Sequence, residues 1–184
     1  LEMCKRAGVL RYDLLKDVTS DSSPIHWQHG AIARLKPHTP IKDLLIGGYA
    51  TVTLGYIGIY EATLLTIGES HTTPKGKEFA MKIMDIMNEK IKQWKKETNL
   101  GFALYGTPAE SLTHRFNSID RERFGVIENI TDKGYYTNSF HADVREEISA
   151  FEKFSFESKF QDKSSGGCIS YVEIPNMSKN LKAL

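Results

Sequence analysis

The segment Thr107-Pro108-Ala109-Glu110-Ser111 has a composition and a position that suit anion binding. It follows a short apolar run of strand type, Gly101–Tyr105, and opens a helical pattern that continues to about Phe124. Because the first backbone N–H groups of a helix lack partners and carry the positive end of its dipole, such a turn can hold a phosphate. The alternative is a capping box, in which Thr107 and Glu110 only start the helix. From the pattern alone, the capping box is the favoured interpretation.

A second polar group lies in a long connection. Asn138, Ser139 and His141 follow two tyrosines, a mixture suited to holding a polar, planar ligand. A surface loop with a capping Asn or Ser would have a similar composition, so both interpretations stay open. The glycines of residues 55–58, GYIG, lack the third glycine of a dinucleotide fingerprint and the ending of a P-loop. We expect them to serve close packing between a helix and a strand.

The histidines and cysteines do not predict a metal site or a nucleophile. His26 and His29 are three residues apart, but no third ligand accompanies them. Cys4 and Cys168 are far apart in the sequence and belong to no CxxC pair. We expect each cysteine to be a small buried apolar residue. No catalytic residue and no metal ligand is assigned from the sequence.

The overall composition argues against several classes of protein. The 24 Lys and Arg residues balance 23 Asp and Glu residues, so no excess charge would attract nucleic acid or an anionic membrane. No apolar run approaches the roughly 20 residues that cross a bilayer, and the N-terminus has no signal-peptide pattern. A soluble protein of the reducing cytoplasm, without nucleic-acid or membrane partners, is expected.

The elements that must position the polar groups alternate between helix and strand. Helices are predicted at Leu1 to about Lys16, Ile41–Leu45, Ile59–Ile67, from Thr73 onwards, from Thr107 to about Phe124 and near Val144–Ala150, and strands at Tyr49–Leu54, Gly101–Tyr105 and Cys168–Ile174. This order predicts an α/β fold with largely parallel strands, whose site lies at the carboxyl ends of the strands.

The helix that starts at Thr73 has the strongest pattern. Thr73 suits the N-cap and Pro74 the first helical position. Its predicted apolar stripe consists of Phe79, Ile83, Met87, Ile91 and Trp94. Both ends of the chain have the composition of interrupted helices, so we expect both to be cut from a longer protein.

Several segments together resemble the anaerobic, glycyl-radical ribonucleoside-triphosphate reductases. They are residues 24–35 (PIHWQHGAIARL), 47–61 (GGYATVTLGYIGIYE), 105–112 (YGTPAESL), 131–141 (TDKGYYTNSFH) and 180–184 (NLKAL). The resemblance implies that residues 1–184 are a single segment, the later half of a ten-stranded α/β barrel of the glycyl-radical enzyme and ribonucleotide reductase type. The family's regulatory domain, radical cysteine, zinc segment and glycyl-radical motif are not expected within it.

The resemblance also implies a function for the longer protein. It would be an oxidoreductase that converts ribonucleoside triphosphates to deoxyribonucleoside triphosphates by radical chemistry, in deoxyribonucleotide biosynthesis for DNA replication. Formate would be the reductant, ATP and dATP the effectors, and a glycyl radical and zinc would belong to the parent enzyme. Its partners would be a second copy, in a homodimer, and a radical-SAM activase. The segment alone is expected to be inactive.

Two groups of residues can be matched to the family by position. Thr107, Pro108, Ala109, Glu110 and Ser111 resemble the substrate-phosphate loop, which replaces the capping box as the favoured interpretation. Asn138, Ser139 and His141 resemble residues of an active-site loop, without an assigned chemical step. Two alternatives remain: a non-catalytic nucleotide-binding or subunit-contact module, and a fragment of a glycyl-radical lyase.

Overall fold

The computed structural model describes residues 1–172 of the chain. Its helices are α1 Glu2–Leu15, α2 Pro24–Trp27, α3 Ile59–Ile67, α4 Pro74–Thr98, α5 Glu110–Phe124 and α6 Ala150–Gln161, its strands are β1 Thr51–Gly55 and β2 Gly101–Tyr105, and one-turn 3-10 helices lie at Ser20–Ser22 and Lys42–Leu44. The order of strands and helices confirms the predicted α/β class. No helix within residues 1–172 combines the length and hydropathy needed to cross a bilayer.

The two strands form a parallel sheet, as predicted. Thr51 lies opposite Gly101, and Gly55 lies opposite Tyr105. Because parallel strands end at the same edge, the β1–α3 turn and the β2–α5 turn leave the sheet side by side. A Cβ atom on Gly55 would lie only 3.0 Å from Cγ2 of Thr107, which shows how close the two turns are.

One face of the sheet packs against the long helix α4. Thr73 caps this helix, since its Oγ1 accepts a hydrogen bond from the amide of Gly76 at 3.0 Å, and Pro74 occupies the first position. Trp94 contacts the ring of Phe102 edge to face, with ring centroids 5.4 Å apart. These contacts place the hydrophobic core between α4 and the sheet.

The buried face of α4 differs in part from the predicted stripe. It consists of Ala80, Met84, Met87, Ile91 and Trp94, whereas Phe79 and Ile83 are only partly buried. Steps of four residues advance about 40° beyond one helical turn, so a row spaced by fours winds away from the core. Alternating steps of four and three, as in the observed set, stay on one face.

Two of the sequence predictions for the last part of the described chain are wrong. No helix spans Val144–Ala150: the chain turns there, and α6 begins at Ala150. Ser149 and Glu152 form a capping box at that start, with reciprocal bonds between backbone and side chains. The predicted strand Cys168–Ile174 is reduced, up to residue 172, to one parallel bridge between Cys168 and Gly106. Its last two residues lie outside the described part, as does the helix expected near the C-terminus.

The cysteines are less buried than expected. Cys4 is exposed on α1, so the prediction of a buried position is wrong for it, and Cys168 is partly buried. Neither takes part in a disulfide within residues 1–172.

Candidate functional site

The turn between β2 and α5 starts the helix without a side-chain cap. The N-cap is Ala109, and no side-chain hydrogen bond caps the helix there. Thr107 lies two residues too early for a capping box with Glu110, and its own amide donates to Tyr105 O at 2.9 Å. The capping-box alternative is therefore wrong in its local geometry.

Three amides in the first turn of α5 have no hydrogen-bond acceptor in the part of the chain that the structure describes. Within the described residues, the N–H groups of Glu110, Ser111 and Leu112 have no acceptor. They stand at the start of a 15-residue helix, whose dipole adds positive potential. The side chain of Glu110 is exposed, so its carboxylate can point to solvent. The turn can therefore bind an anion that has at least two oxygen atoms available as hydrogen-bond acceptors.

Asn138 connects this turn to the long loop after α5. Its Oδ1 accepts a hydrogen bond from the amide of Ala109 at 2.9 Å. The backbone of Asn138 in turn forms an antiparallel bridge with Ile57 in the β1–α3 turn. The structure thus brings together the two groups that the sequence singled out, residues 107–111 and 138–141.

The start of α3 holds the same loop from the other side. The amides of Gly58 and Ile59 donate to the carbonyl oxygens of Thr137 at 2.8 Å and Ser139 at 3.3 Å. Gly58 is the N-cap of α3 and has φ 75°. This left-handed conformation favours glycine, so the role of Gly58 is conformational. A Cβ atom at this position would lie 3.5 Å or more from its neighbours, so Gly58 is not required for the predicted close packing.

Ser139 and His141 are buried behind Asn138. Ser139 is fully buried, has φ 38°, and its Oγ has no partner among the described residues. His141 Nδ1 lies 3.1 Å from Oε1 of Glu157, although the two groups are not aligned as a hydrogen bond. Lys153 is paired with the same carboxylate. Of the three predicted loop residues, Asn138 is the one whose side chain forms a hydrogen bond with the α5 turn in the described part of the chain.

The Glu157 carboxylate remains charged in this buried setting. Burial by itself would raise its pKa, but His141 and Lys153 outweigh burial and lower the pKa to about 2. Asn138, His141 and Lys153 line one cavity of about 100 Å³. Drug-sized ligands occupy cavities of about 300–1,000 Å³. The cavity therefore suits water or a small group rather than a nucleoside.

The sequence interpretation missed a buried charge cluster beside the loop. Lys133 is paired with Glu61 and Asp143, and the side chains of all three are at most 4% exposed. Only one signal was available in the sequence: Glu61 is a lone carboxylate within the apolar segment from Tyr56 to Leu65. A charge in such a segment must find a partner when it is buried.

The described residues do not hold a metal cluster. Within residues 1–172, no group of three or more His, Cys, Asp or Glu side chains is placed to bind a metal ion. His26 Nδ1 lies 2.6 Å from Ser23 Oγ, so this ring is engaged in a local contact at the start of α2.

Comparisons with known proteins cover the whole chain. The family model described as anaerobic ribonucleoside-triphosphate reductase matches residues 1–184. Proteins of that name from Enterobacteria phage T4 and Haemophilus influenzae are 43% and 40% identical over 100% of this chain, which spans 29% and 26% of their lengths. A crystal structure of the anaerobic ribonucleotide reductase from Thermotoga maritima, with citrate in its active site, has 18% identity and a TM-score of 0.66 over 95% of this chain and 30% of that one. The structural likeness supports the fold alone.

Proposed function

Because the chain belongs to the anaerobic ribonucleoside-triphosphate reductase family, we propose that it contributes the substrate-phosphate site of an enzyme that reduces ribonucleoside triphosphates to deoxyribonucleoside triphosphates. Residues 107–112 would hold the triphosphate. The observation that carries this proposal is the set of three N–H groups at the start of α5, on Glu110, Ser111 and Leu112, that have no acceptor within residues 1–172.

The geometry suits a phosphate for electrostatic reasons. Backbone N–H groups at a helix start point outwards along the axis, and hydrogen bonds to an ionised oxygen are stronger than neutral ones. Ala109 leaves little bulk at the N-cap, and its own amide is already bonded to Asn138. Backbone N–H groups with a fixed direction would therefore recognise the phosphate. Because the nucleoside is covalently linked to the phosphate, binding at this turn would also orient the nucleoside.

We assign binding and orientation to these residues, and no bond-breaking step. Correct orientation can supply a large part of a rate enhancement when a reactive group is present. The glycyl radical, formate, the ATP and dATP effectors, the radical-SAM activase and the homodimer belong to our proposal for the whole enzyme. A zinc ion belongs to the same proposal for the whole enzyme.

The same proposal extends to the surroundings of the segment. The two parallel strands would belong to a ten-stranded barrel, with the cytoplasm as its setting. Small or polar residues on the open face of the sheet, Thr51, Thr53 and Gly55, support a barrel interior on that side, because they are exposed in this segment. The match of a reductase family model to residues 1–184 favours this function over a glycyl-radical lyase.

Replacing Ala109 tests the phosphate turn. An Asp at this N-cap can accept hydrogen bonds from the amides of Ser111 and Leu112, and it adds negative charge. We expect Ala109→Asp to raise the Kd of a ribonucleoside triphosphate at least about tenfold in the full-length protein, which corresponds to about 1.4 kcal/mol. Ala109→Asn, which caps without a charge, is the matched control and should weaken binding less. Calorimetric titration without oxygen measures both, and an unchanged Kd for Ala109→Asp would refute the proposal.

A further inference from the structure

Lys133 carries a buried ammonium group between two carboxylates. Its Nζ donates to Glu61 Oε1 at 2.6 Å and to Asp143 Oδ2, and the side chain is 2% exposed. Asp143 has a second cationic partner, because Arg145 Nε donates to its Oδ1 at 2.9 Å. The aromatic rings beside the ammonium group are those of Tyr60 and Tyr135, with centroids 4.7 Å and 5.1 Å from Nζ. Each charge in the cluster therefore depends on its partners, since an unpaired charge is costly in such surroundings.

Lys133 and Asp143 keep their charges at neutral pH. Burial alone would lower the pKa of Lys133, but Asp143 and Glu61 outweigh burial and raise it above its usual value. Burial alone would raise the pKa of Asp143, but Arg145 and Lys133 hold it at about 2. The ion pair between Lys133 and Asp143 therefore persists across the physiological range of pH.

The cluster holds both ends of the loop that carries Asn138. At one end, the backbone N and the Oγ1 of Thr137 both donate to Glu61 Oε1 at 2.8 Å. At the other end, Asp143 is bound to Lys133. Glu61 lies on α3. It binds Thr137 directly and is connected to Asp143 through the ammonium group of Lys133, so both ends of residues 138–142 are attached to this helix.

We propose that Glu61, Lys133 and Asp143 form a clamp that positions the substrate-phosphate turn. By fixing residues 137–143, the clamp holds Asn138 Oδ1 against the amide of Ala109. This contact sets the direction of the first turn of α5, where the free amides lie. The inference rests on the proposed function of that turn, and the three residues act through Asn138 rather than on the substrate.

A geometric role can be separated from a contribution to stability. Replacing a buried ion cluster by neutral residues of similar volume is often neutral for stability, whereas removing one partner leaves an unpaired charge. The informative variant is therefore the triple replacement E61Q/K133M/D143N, which leaves no uncompensated charge among the three. The single variant Glu61→Gln serves as the conservative comparison, because Gln keeps an oxygen acceptor for Thr137 and Lys133 keeps Asp143 as a charged partner. Met84→Ala, on the buried face of α4, is the control for general destabilisation.

Two measurements on the full-length protein test the clamp. The first is hydrogen exchange at the Ala109 amide without nucleotide, and the second is the Kd of a ribonucleoside triphosphate. We expect the triple variant to exchange this amide about tenfold faster or more and to bind about tenfold more weakly, with Glu61→Gln close to wild type. Met84→Ala should lower the thermal midpoint and leave both values unchanged.

The outcomes distinguish the clamp from the phosphate turn. Wild-type exchange and wild-type Kd in the triple variant would overturn the clamp. If Ala109→Asp nevertheless binds the triphosphate more weakly, the proposal for the phosphate turn is still supported. An equal change in Met84→Ala would also overturn the clamp, because stability alone would explain the effect. The triple variant could also show faster exchange at Ala109 but an unchanged Kd, while Ala109→Asp binds weakly. That result would show that the clamp does not determine binding. An unchanged Kd for Ala109→Asp would overturn both proposals.

Discussion

The side-chain oxygen of Asn138 accepts a hydrogen bond from the backbone N–H of Ala109 at 2.9 Å, across a separation of 29 residues. Because of this contact, the Ala109 amide is not available to donate a hydrogen bond to a ligand. It also ties the helix start to the loop that follows the helix. The free donors, from Glu110 to Leu112, are therefore held in one direction before any ligand binds.

Replacement of Asn138 should weaken phosphate binding without unfolding the chain. In Asn138→Ala the Ala109 amide loses its acceptor, which typically costs about 1–3 kcal/mol for a buried donor but less where water can enter. We expect a Kd for ribonucleoside triphosphate that is about five- to tenfold higher. Asn138→Asp keeps the acceptor and adds repulsion, so its weaker binding should depend more strongly on salt than that of Asn138→Ala. Titration at two ionic strengths measures this, and an unchanged Kd for Asn138→Ala would contradict the role of the contact.

The two neighbouring residues Met84 and Ile83 should differ in their effect on stability. Met84 is fully buried between α4 and the sheet, whereas Ile83 is partly buried. We expect Met84→Ala to lower the free energy of unfolding by about 2–5 kcal/mol, the usual range for a buried methionine. Ile83→Ala should cost less than half of that. Urea denaturation measures both, and equal losses would contradict the difference in burial between the two side chains.

The buried ring of His71 should make stability depend on pH. Burial lowers the pKa of His71 below its ordinary value of 6.5, although Nε2 donates to Phe140 O at 2.9 Å. The unfolded chain therefore binds a proton more readily, and stability is complete above pH 6.5 and falls as the pH decreases below it. The loss approaches about 1.4 kcal/mol per pH unit. His71→Gln, which keeps a donor for Phe140, should flatten the curve between pH 6.5 and 5. A slope identical to that of the wild type would contradict this assignment.

Glu157 should contribute stability in a more acidic range. Its pKa is lowered from 4.5 to about 2, despite burial, by His141 and Lys153. A lowered pKa means that its contribution is present above pH 4.5 and is lost as the pH falls towards 2. We expect Glu157→Gln to be less stable than wild type at pH 7, and the difference to disappear near pH 2. Thermal denaturation across this range measures it, and a difference independent of pH would contradict the ionic contribution.

The sequence predicted the elements whose signals are local. Thr73 and Pro74 mark the start of α4, and the apolar runs at β1 and β2 mark the strands. The start of α6 also carries a local signal, the Ser149–Glu152 capping box, but its first residues include the highly exposed Phe151, which obscures the apolar pattern. Strand pairing and burial depend on tertiary packing, which periodicity does not report.

The candidate site was predictable only in its parts. The composition of residues 107–111 and 138–141 pointed to both groups, but their contact joins residues that are 29 apart. The ion pair of Lys133 with Glu61 spans 72 residues and has no local pattern. Long-range hydrogen bonds and buried ion pairs are set by the packing of α3 against the loop. The sequence therefore indicated which residues could form a site, but their relative positions could not be predicted from it.

A crystal structure of the full-length protein with a bound ribonucleoside triphosphate would locate the phosphate groups directly. We expect phosphate oxygens within about 2.7–3.2 Å of the amide nitrogens of Glu110, Ser111 and Leu112. Asn138 Oδ1 should still accept the Ala109 amide in that complex. A triphosphate bound away from the start of α5, with these three amides facing only water, would show that the turn is not the phosphate site.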